Sequence, residues 1–377
     1  MKPPQSSFPP VPHPDSRKAP GPDSHDADAT HNSRRLPELH DLQRLIALGG
    51  SALDARVLAE VTDGADRYPL YALRLGNPDP YAPVLLLTGG IHGVERIGTQ
   101  LVLTQLELLL ARLPWDQGLQ ADLEHIRLVF CPLVNPAGMA RGSRANANGV
   151  DLMRNAPHNA DRPTSWLLSG HRIGTWLPWY RGALDQPMET ESAALCDLVN
   201  AECATAPFCL SLDCHSGFGM RDRVWFPYAG STQPLEQAAE VHALVELYEA
   251  ANPYHRYLFE PQCHQYRTHG DLWDYLYHQH LQRQRGASNG PAVFLPLTLE
   301  LGSWLWVRKN LRQITSFTGL FNPLVPHRQR RILRHHNTLF DFLIRATRSW
   351  QHWHPQGSDR DAQQQRAIQR WYQESGH

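Results

Sequence analysis

Long apolar runs are missing from this 377-residue chain: no stretch reaches the roughly 18 apolar residues of a membrane-crossing helix, and the N-terminus holds no signal-peptide core. A soluble, cytoplasmic protein is therefore expected. Charge of one sign is missing too. Thirty-six basic residues face thirty-seven acidic ones, so no overall field draws the chain to nucleic acid or an acidic membrane, and neither is expected as a partner. Lysine is nearly absent, with Lys2, Lys18 and Lys309 alone, and the arginine bias runs the whole length rather than marking one binding face. The six cysteines, at 131, 196, 203, 209, 214 and 263, form no CxxC pair. Several lie in apolar runs, which suits small buried hydrophobes in a reduced compartment better than disulfides. No internal repeat is visible.

What remains is ample for a large core, with 41% hydrophobic residues. Residues 1–37, dense in Pro, Ser, Asp and His, are expected to be a disordered arm, residues 38–350 a single folded domain, and residues 351–377 a polar tail that is a solvated helix or disordered. Within the domain, "DLQRLIAL" and "ALDARVLAEV" read as short helical or mixed segments and "YPLYALRLG" as an alternating strand. "APVLLLTGG", "EHIRLVFCPLVNP" and "APFCLSLDCHSGFG" read as buried strands, with helical periodicity in "GTQLVLTQLELLLARL", "ETESAALCDLVNAEC", "PLEQAAEVHALVELYEAA" and "DLWDYLYHQHLQRQ". This alternation predicts an α/β fold with a mixed, largely parallel central sheet flanked by helices, in which functional groups gather at the carboxyl ends of strands. The helix-like "HRQRRILRHHNTLFDFLIRATRSW" starts basic, yet Ile332, Leu333, Leu339, Phe340, Phe342 and Leu343 read as a face docked on the domain rather than an RNA-binding element.

Three strand ends carry polar chemistry: His92 with Glu95, the segment from Asn135 to Asn155, and His215. Zinc takes nitrogen and oxygen donors at about 2.0–2.2 Å, and a catalytic ion uses three protein ligands beside an open position. Two histidines and a glutamate make such a set. In HxxE the pair is three residues apart, so one turn brings both to one side, and an adjacent strand can add His215. Alone, the motif says little in a chain with 21 histidines, any of which can be a core or surface imidazole. Glu300 alternates with Leu297, Leu299 and Leu301, a pattern that a solvated strand face also explains, and Pro296 weakens the strand reading. Asp213, two residues before His215, can orient a ligand or be a buried structural carboxylate.

The ordered set of motifs resembles the zinc carboxypeptidase family of metallopeptidases. HxxE stands at 92–95, NPxG at 135–138, an arginine at Arg144, "GVDLMRN" at 149–155, "DCHSGFG" around His215 and "LTLELG" around Glu300, so the resemblance covers about residues 66–310. It implies one zinc ion held by His92, Glu95 and His215, with Glu300 as general base toward a metal-activated water. It implies that Arg144 polarises the substrate carbonyl, that Arg154 and Asn155 help bind a terminal carboxylate, and that Tyr266, just before Gly270, covers the substrate from a mobile loop. The wording also resembles the bacterial murein-peptide amidase and the succinylglutamate desuccinylase and aspartoacylase branches. Two positions depart from the pattern. Met153 replaces the asparagine that precedes the arginine, and methionine cannot donate to a carboxylate. Ala137 replaces a commoner aspartate.

The expected function is a zinc-dependent hydrolase that cleaves an amide (peptide) bond next to a carboxylate-bearing group, on a short peptide or a peptidoglycan-derived fragment. One alternative is an N-acyl amino acid deacylase sharing metal and base. Another, motivated by Met153, is a metal-free binding module. The oligomeric state is not legible.

Overall fold

The computed structural model describes residues 36–162, 164–285 and 292–373. Eight strands form one sheet: β1 (Leu53–Asp63), β2 (Asp66–Gly76), β3 (Val84–Gly89), β4 (Arg127–Cys131), β5 (Phe208–Ser216), β6 (Arg223–Phe226), β7 (Leu258–Pro261) and β8 (Val293–Leu301), in the order β1-β2-β4-β3-β5-β8-β6-β7. The central strands β4, β3, β5 and β8 pair in parallel and are buried along their whole lengths. Their largely apolar sequences are what strands covered on both faces require. Helices including Arg96–Arg112, Thr190–Cys203, Leu272–Arg285 and Asn337–Arg348 supply that cover, so the expected α/β architecture with a mixed, largely parallel sheet is the one that forms.

Several local expectations change. "ALDARVLAEV" becomes the edge strand β1, because antiparallel pairing with β2 outweighs the helix preference of its Ala, Leu and Glu residues. Pro296 does sit within β8, but β6 pairs only with Thr298–Glu300, so the missing N–H falls where β8 is laddered on one side. The helix expected near 327–350 is two helices, Pro326–His335 and Asn337–Arg348, with buried His336 at the junction hydrogen-bonded through Nδ1 to the Tyr257 hydroxyl at 2.7 Å. Residues 1–35 of the expected arm lie outside the described residues, while Leu36 is fully buried and Pro37 opens the helix Pro37–Gly49.

The polar tail is the clearest correction. Gly357–Trp371 is a helix packed on the helix Ala238–Ala251. Its stripe of Gln363, Ala367 and Trp371, spaced by four, is buried, and the Trp371 ring lies 4.7 Å from that of Phe226. A stripe this narrow, surrounded by Gln and Arg, does not show in composition. No helix among the described residues is long and apolar enough to cross a membrane.

Candidate metal centre

β3 ends at Gly89, and the turn beyond it brings His92 and Glu95 to the start of the helix Arg96–Arg112. Gly93 must be glycine here, because a Cβ would run into the backbone of Gly138 and Met139. That contact joins the HxxE turn to the NPxG segment. Asn135 completes the joint: its Oδ1 accepts from Gly138 N at 2.8 Å, capping the short helix Pro136–Arg141, and its Nδ2 donates to Ile91 O at 3.2 Å. Gly98 allows the helix Arg96–Arg112 to lie directly on the Cys214 carbonyl of β5, one residue before His215. Glu300 is the register partner of His215 on β8.

The three predicted ligands meet. His92 Nδ1 lies 2.9 Å from Glu95 Oε1, His215 Nδ1 lies 3.1 Å from Glu95 Oε2, and the two Nδ1 atoms are 3.2 Å apart. One donor atom from each falls within 4.8 Å of the others, and all three residues are buried. The opposite ring nitrogens are held by carboxylates. His92 Nε2 donates to Asp151 Oδ1 at 3.1 Å, and His215 Nε2 donates to Asp213 Oδ2 at 2.6 Å. Protons fixed at Nε2 leave both Nδ1 lone pairs aimed at one centre.

Asp213 also accepts from Thr88 Oγ1 at 2.8 Å and Trp273 Nε1 at 2.9 Å, so it holds the His215 ring within a buried network. Burial alone would raise the pKa values of Glu95, Asp151 and Asp213. Histidine neighbours, and for Asp151 chiefly Arg144 and Arg154, overcome that and hold all three below the usual carboxylate range. Glu300 goes the other way, pushed up to about 8 by burial and by the charge of Glu95. Burial works against a charged His215, yet Asp213 and Glu95 carry its pKa well above the ordinary imidazole value.

A cavity of about 820 Å³ opens over these groups. Arg144 lines it, donating from Nε to Asp151 Oδ2 at 2.9 Å and from Nη1 to Glu95 Oε1 at 3.2 Å. Arg154 lines it as well, with Nη1 on Asp151 Oδ2 at 3.1 Å and Nε on Leu168 O at 3.2 Å. Met153 and Tyr266 are in the wall, Tyr266 packed against Phe218 and Trp225. Burial pushes the Tyr266 phenol up to about 12, so it stays a proton donor. Asn155 is the exception. Its Nδ2 donates to Arg181 O at 3.1 Å and its Oδ1 accepts from Glu189 N at 2.6 Å, away from the cavity lining. Expected to touch substrate, it instead braces two backbone segments, because "MRN" turns through a 3-10 helix that points Arg154 inward and Asn155 outward.

A sequence model of the zinc carboxypeptidase family matches residues 58–302. The chain belongs to this family. Carboxypeptidase SOL1 of Arabidopsis thaliana is 27% identical over 103 residues, 26% of this chain and 21% of that protein. Human carboxypeptidase D is 27% identical over 107 residues, 25% of this chain and 8% of that protein, so the match spans only a small part of either relative. Among solved structures, bovine thrombin-activatable fibrinolysis inhibitor, in complex with tick carboxypeptidase inhibitor, is similar with a TM-score of 0.57 over 82% of this chain and 96% of that one. At 16% identity this likeness speaks for the fold.

The family uses zinc, and the residues here fit such an ion. The set is two imidazole nitrogens and one carboxylate, the donor chemistry such an ion takes, and a carboxylate holds the far nitrogen of each ring. His92, Glu95 and His215 would hold the ion. Two contributors escaped sequence reasoning. Asp151 stands inside the quoted "GVDLMRN" and could have been found as the acid flanked by Arg144 and Arg154, two arginines already expected at the site. Asn322 gave no signal: it accepts from Ile97 N at 3.0 Å and donates to Val94 O at 2.7 Å, capping the helix whose natural cap, Glu95, is turned to the metal site.

Proposed function

We propose that this member of the zinc carboxypeptidase family is a peptidase that cleaves an amide bond beside a carboxylate-bearing residue, with Glu300 as general base. The observation that carries the reading is the pairing of a converged His92–Glu95–His215 set with a buried, non-ligating carboxylate at the neighbouring register position of β8. When bound, zinc supplies Lewis acidity toward a water and the scissile carbonyl. Glu300, with Oε1 anchored by Phe218 N at 3.0 Å, takes the attacking water's proton and returns it to the leaving nitrogen. Arg144 faces the oxygen that gains charge, its guanidinium held by Asp151 and Glu95. Arg154 and Tyr266 position the carboxylate side of the substrate. Met153 beside Arg154 leaves that grip with a single planar donor, which relaxes the demand for a free C-terminus.

The cavity favours a peptide over a lone N-acyl amino acid, since about 820 Å³ is room for several residues and its rim is built of Trp176, Trp179, Trp304 and Phe317. The test offers the zinc-loaded chain short peptides with free and amidated C-termini alongside N-acyl amino acids, and measures zinc content by mass spectrometry. Peptide hydrolysis that chelation removes and zinc restores supports the reading. Hydrolysis of the acyl amino acids alone establishes the deacylase instead, and a chain that takes up no zinc and cleaves nothing is a binding module.

A further inference from the structure

A net charge near zero hides a strong segregation. Between residues 301 and 340 there is no Asp or Glu, while seven Arg or Lys side chains fall in the same stretch. Elsewhere arginines are commonly matched, as in Arg112 with Asp116 and Asp341, Arg127 with Glu202, or Arg370 with Glu249. Here Arg308, Lys309, Arg312, Arg330, Arg331 and Arg334 form no ion pair among the described residues. The same segment leaves large apolar side chains in the open: Trp304 is 53% exposed, Leu311 68%, Ile314 58% and Phe317 57%. Leu311 and Ile314, three apart in the 3-10 turn Leu311–Thr315, project to one side.

These pieces are one surface. The helix Trp304–Lys309 packs on the turn Leu311–Thr315, which packs on Thr318–Leu320. Arg328, at the start of the helix Pro326–His335, donates to Trp306 O at 3.5 Å and Lys309 O at 3.4 Å, bringing that helix alongside. Trp304 and Phe317 also line the cavity, so the surface begins at its rim. Trp176, 76% exposed, continues the apolar rim from the segment after Arg154.

We infer that this surface docks the protein on an anionic lipid bilayer, with the cavity mouth beside the contact. Unpaired cations interleaved with exposed aromatic and aliphatic side chains suit a fluid, negatively charged interface, where the apolar groups enter the headgroup boundary and each cation meets phosphates. An acidic polypeptide would satisfy the cations and leave Leu311, Ile314 and Phe317 in water. The inference is independent of the proposed hydrolysis, because its readout is binding.

The experiment sediments the full chain with vesicles of phosphatidylcholine, with and without phosphatidylglycerol. Binding is expected only with the anionic lipid, weakened by salt. Each cation near an anionic surface contributes about fivefold to partitioning, so the triple variant Arg308→Gln, Lys309→Gln, Arg312→Gln should bind roughly a hundredfold more weakly. The pair Leu311→Ser, Ile314→Ser should bind more weakly while keeping its preference for anionic lipid, and thermal melts confirm that both variants fold. Equal binding to both vesicle types, no binding, or undiminished binding by the triple variant overturns the inference. So does retention of the chain by immobilised polyglutamate when anionic vesicles fail to capture it, which would make the surface one for acidic polypeptides.

Discussion

Asp213 separates metal binding from folding in a way that can be measured. Its Oδ2 takes His215 Nε2 at 2.6 Å and Trp273 Nε1 at 2.9 Å, and its Oδ1 takes Thr88 Oγ1 at 2.8 Å. In Asp213→Asn the amide oxygen can keep facing the two ring N–H groups, while the amide nitrogen faces a Thr88 hydroxyl that rotates to accept. Neither ring N–H is orphaned, but the charge behind His215 is gone. Carboxylates in this position are worth about 10–100-fold in metal affinity, or roughly 1.4–2.7 kcal/mol. Converting charged hydrogen bonds to neutral ones costs the metal-free fold only about 1–2 kcal/mol. Asp213→Ala is different, since it strands two buried N–H donors at about 1–3 kcal/mol each. Zinc affinity by competition with a chromophoric chelator, and urea unfolding of the metal-free chain, give the two quantities separately. The expectation is that Asn and Ala weaken zinc binding alike while Ala costs much more stability, and that Trp273→Phe lowers stability by about 1 kcal/mol with little effect on zinc. A zinc affinity within twofold of wild type in Asp213→Asn would refute the role given to this carboxylate.

Glu300→Gln should keep zinc yet lose about 10²–10⁴ in turnover, whereas His92→Ala should lose both; single-turnover peptide hydrolysis with metal analysis distinguishes them. Buried His336 has its pKa lowered to about 3, chiefly by burial, while the unfolded chain titrates near 6.5. The unfolded state therefore binds more protons below that value, and stability falls as pH drops, by about 1.4 kcal/mol per unit from this group. His336→Gln should flatten the stability profile between pH 6.5 and pH 4 in urea titrations, and an unchanged slope would count against the burial argument. Ending the chain after Gln356 removes the buried Trp371 and Ala367 from the sheet's flank. The expected loss is about 3–5 kcal/mol, the scale of a buried Trp→Ala change, and a thermal melt unchanged from wild type would restore the reading of this segment as a solvated tail.

How much of this was legible depends on whether a residue's role is local. β3, β4 and β5 announced themselves because a strand covered on both faces is apolar along most of its length, whereas Pro296 and Glu300 obscured β8. His92 and Glu95 could be paired from spacing, and the order of motifs supplied His215 and Glu300. Roles set by partners far away were not legible. β1 is a strand because β2 lies beside it, and Gly357–Trp371 is part of the fold because three residues at a spacing of four meet the helix Ala238–Ala251. Asn155 departs from expectation for the opposite reason: it sits within a motif expected to bind substrate, but a single 3-10 turn decides which of two neighbours faces the cavity.

Asn322 shows how the metal turn and the cavity rim come to depend on each other. Glu95 occupies the cap position of the helix Arg96–Arg112, yet its carboxylate points to the two histidines, so Ile97 N would lack an acceptor. Asn322, 225 residues away, supplies it and also grips Val94 O, while its own segment is fastened by Gln313 Nε2 donating to Asn322 O at 2.9 Å and Gly319 O at 2.7 Å. Phe321, the preceding residue, lines the cavity, and its carbonyl accepts from Ser216 Oγ beside His215. The rim from Trp304 to Phe321 is thus tied to both strand ends that carry the metal ligands. A change that reaches Asn322 therefore acts on the helix cap beside Glu95, and loss of that cap alone costs about 1 kcal/mol. That is enough to bias the geometry of the site and too little to unfold it.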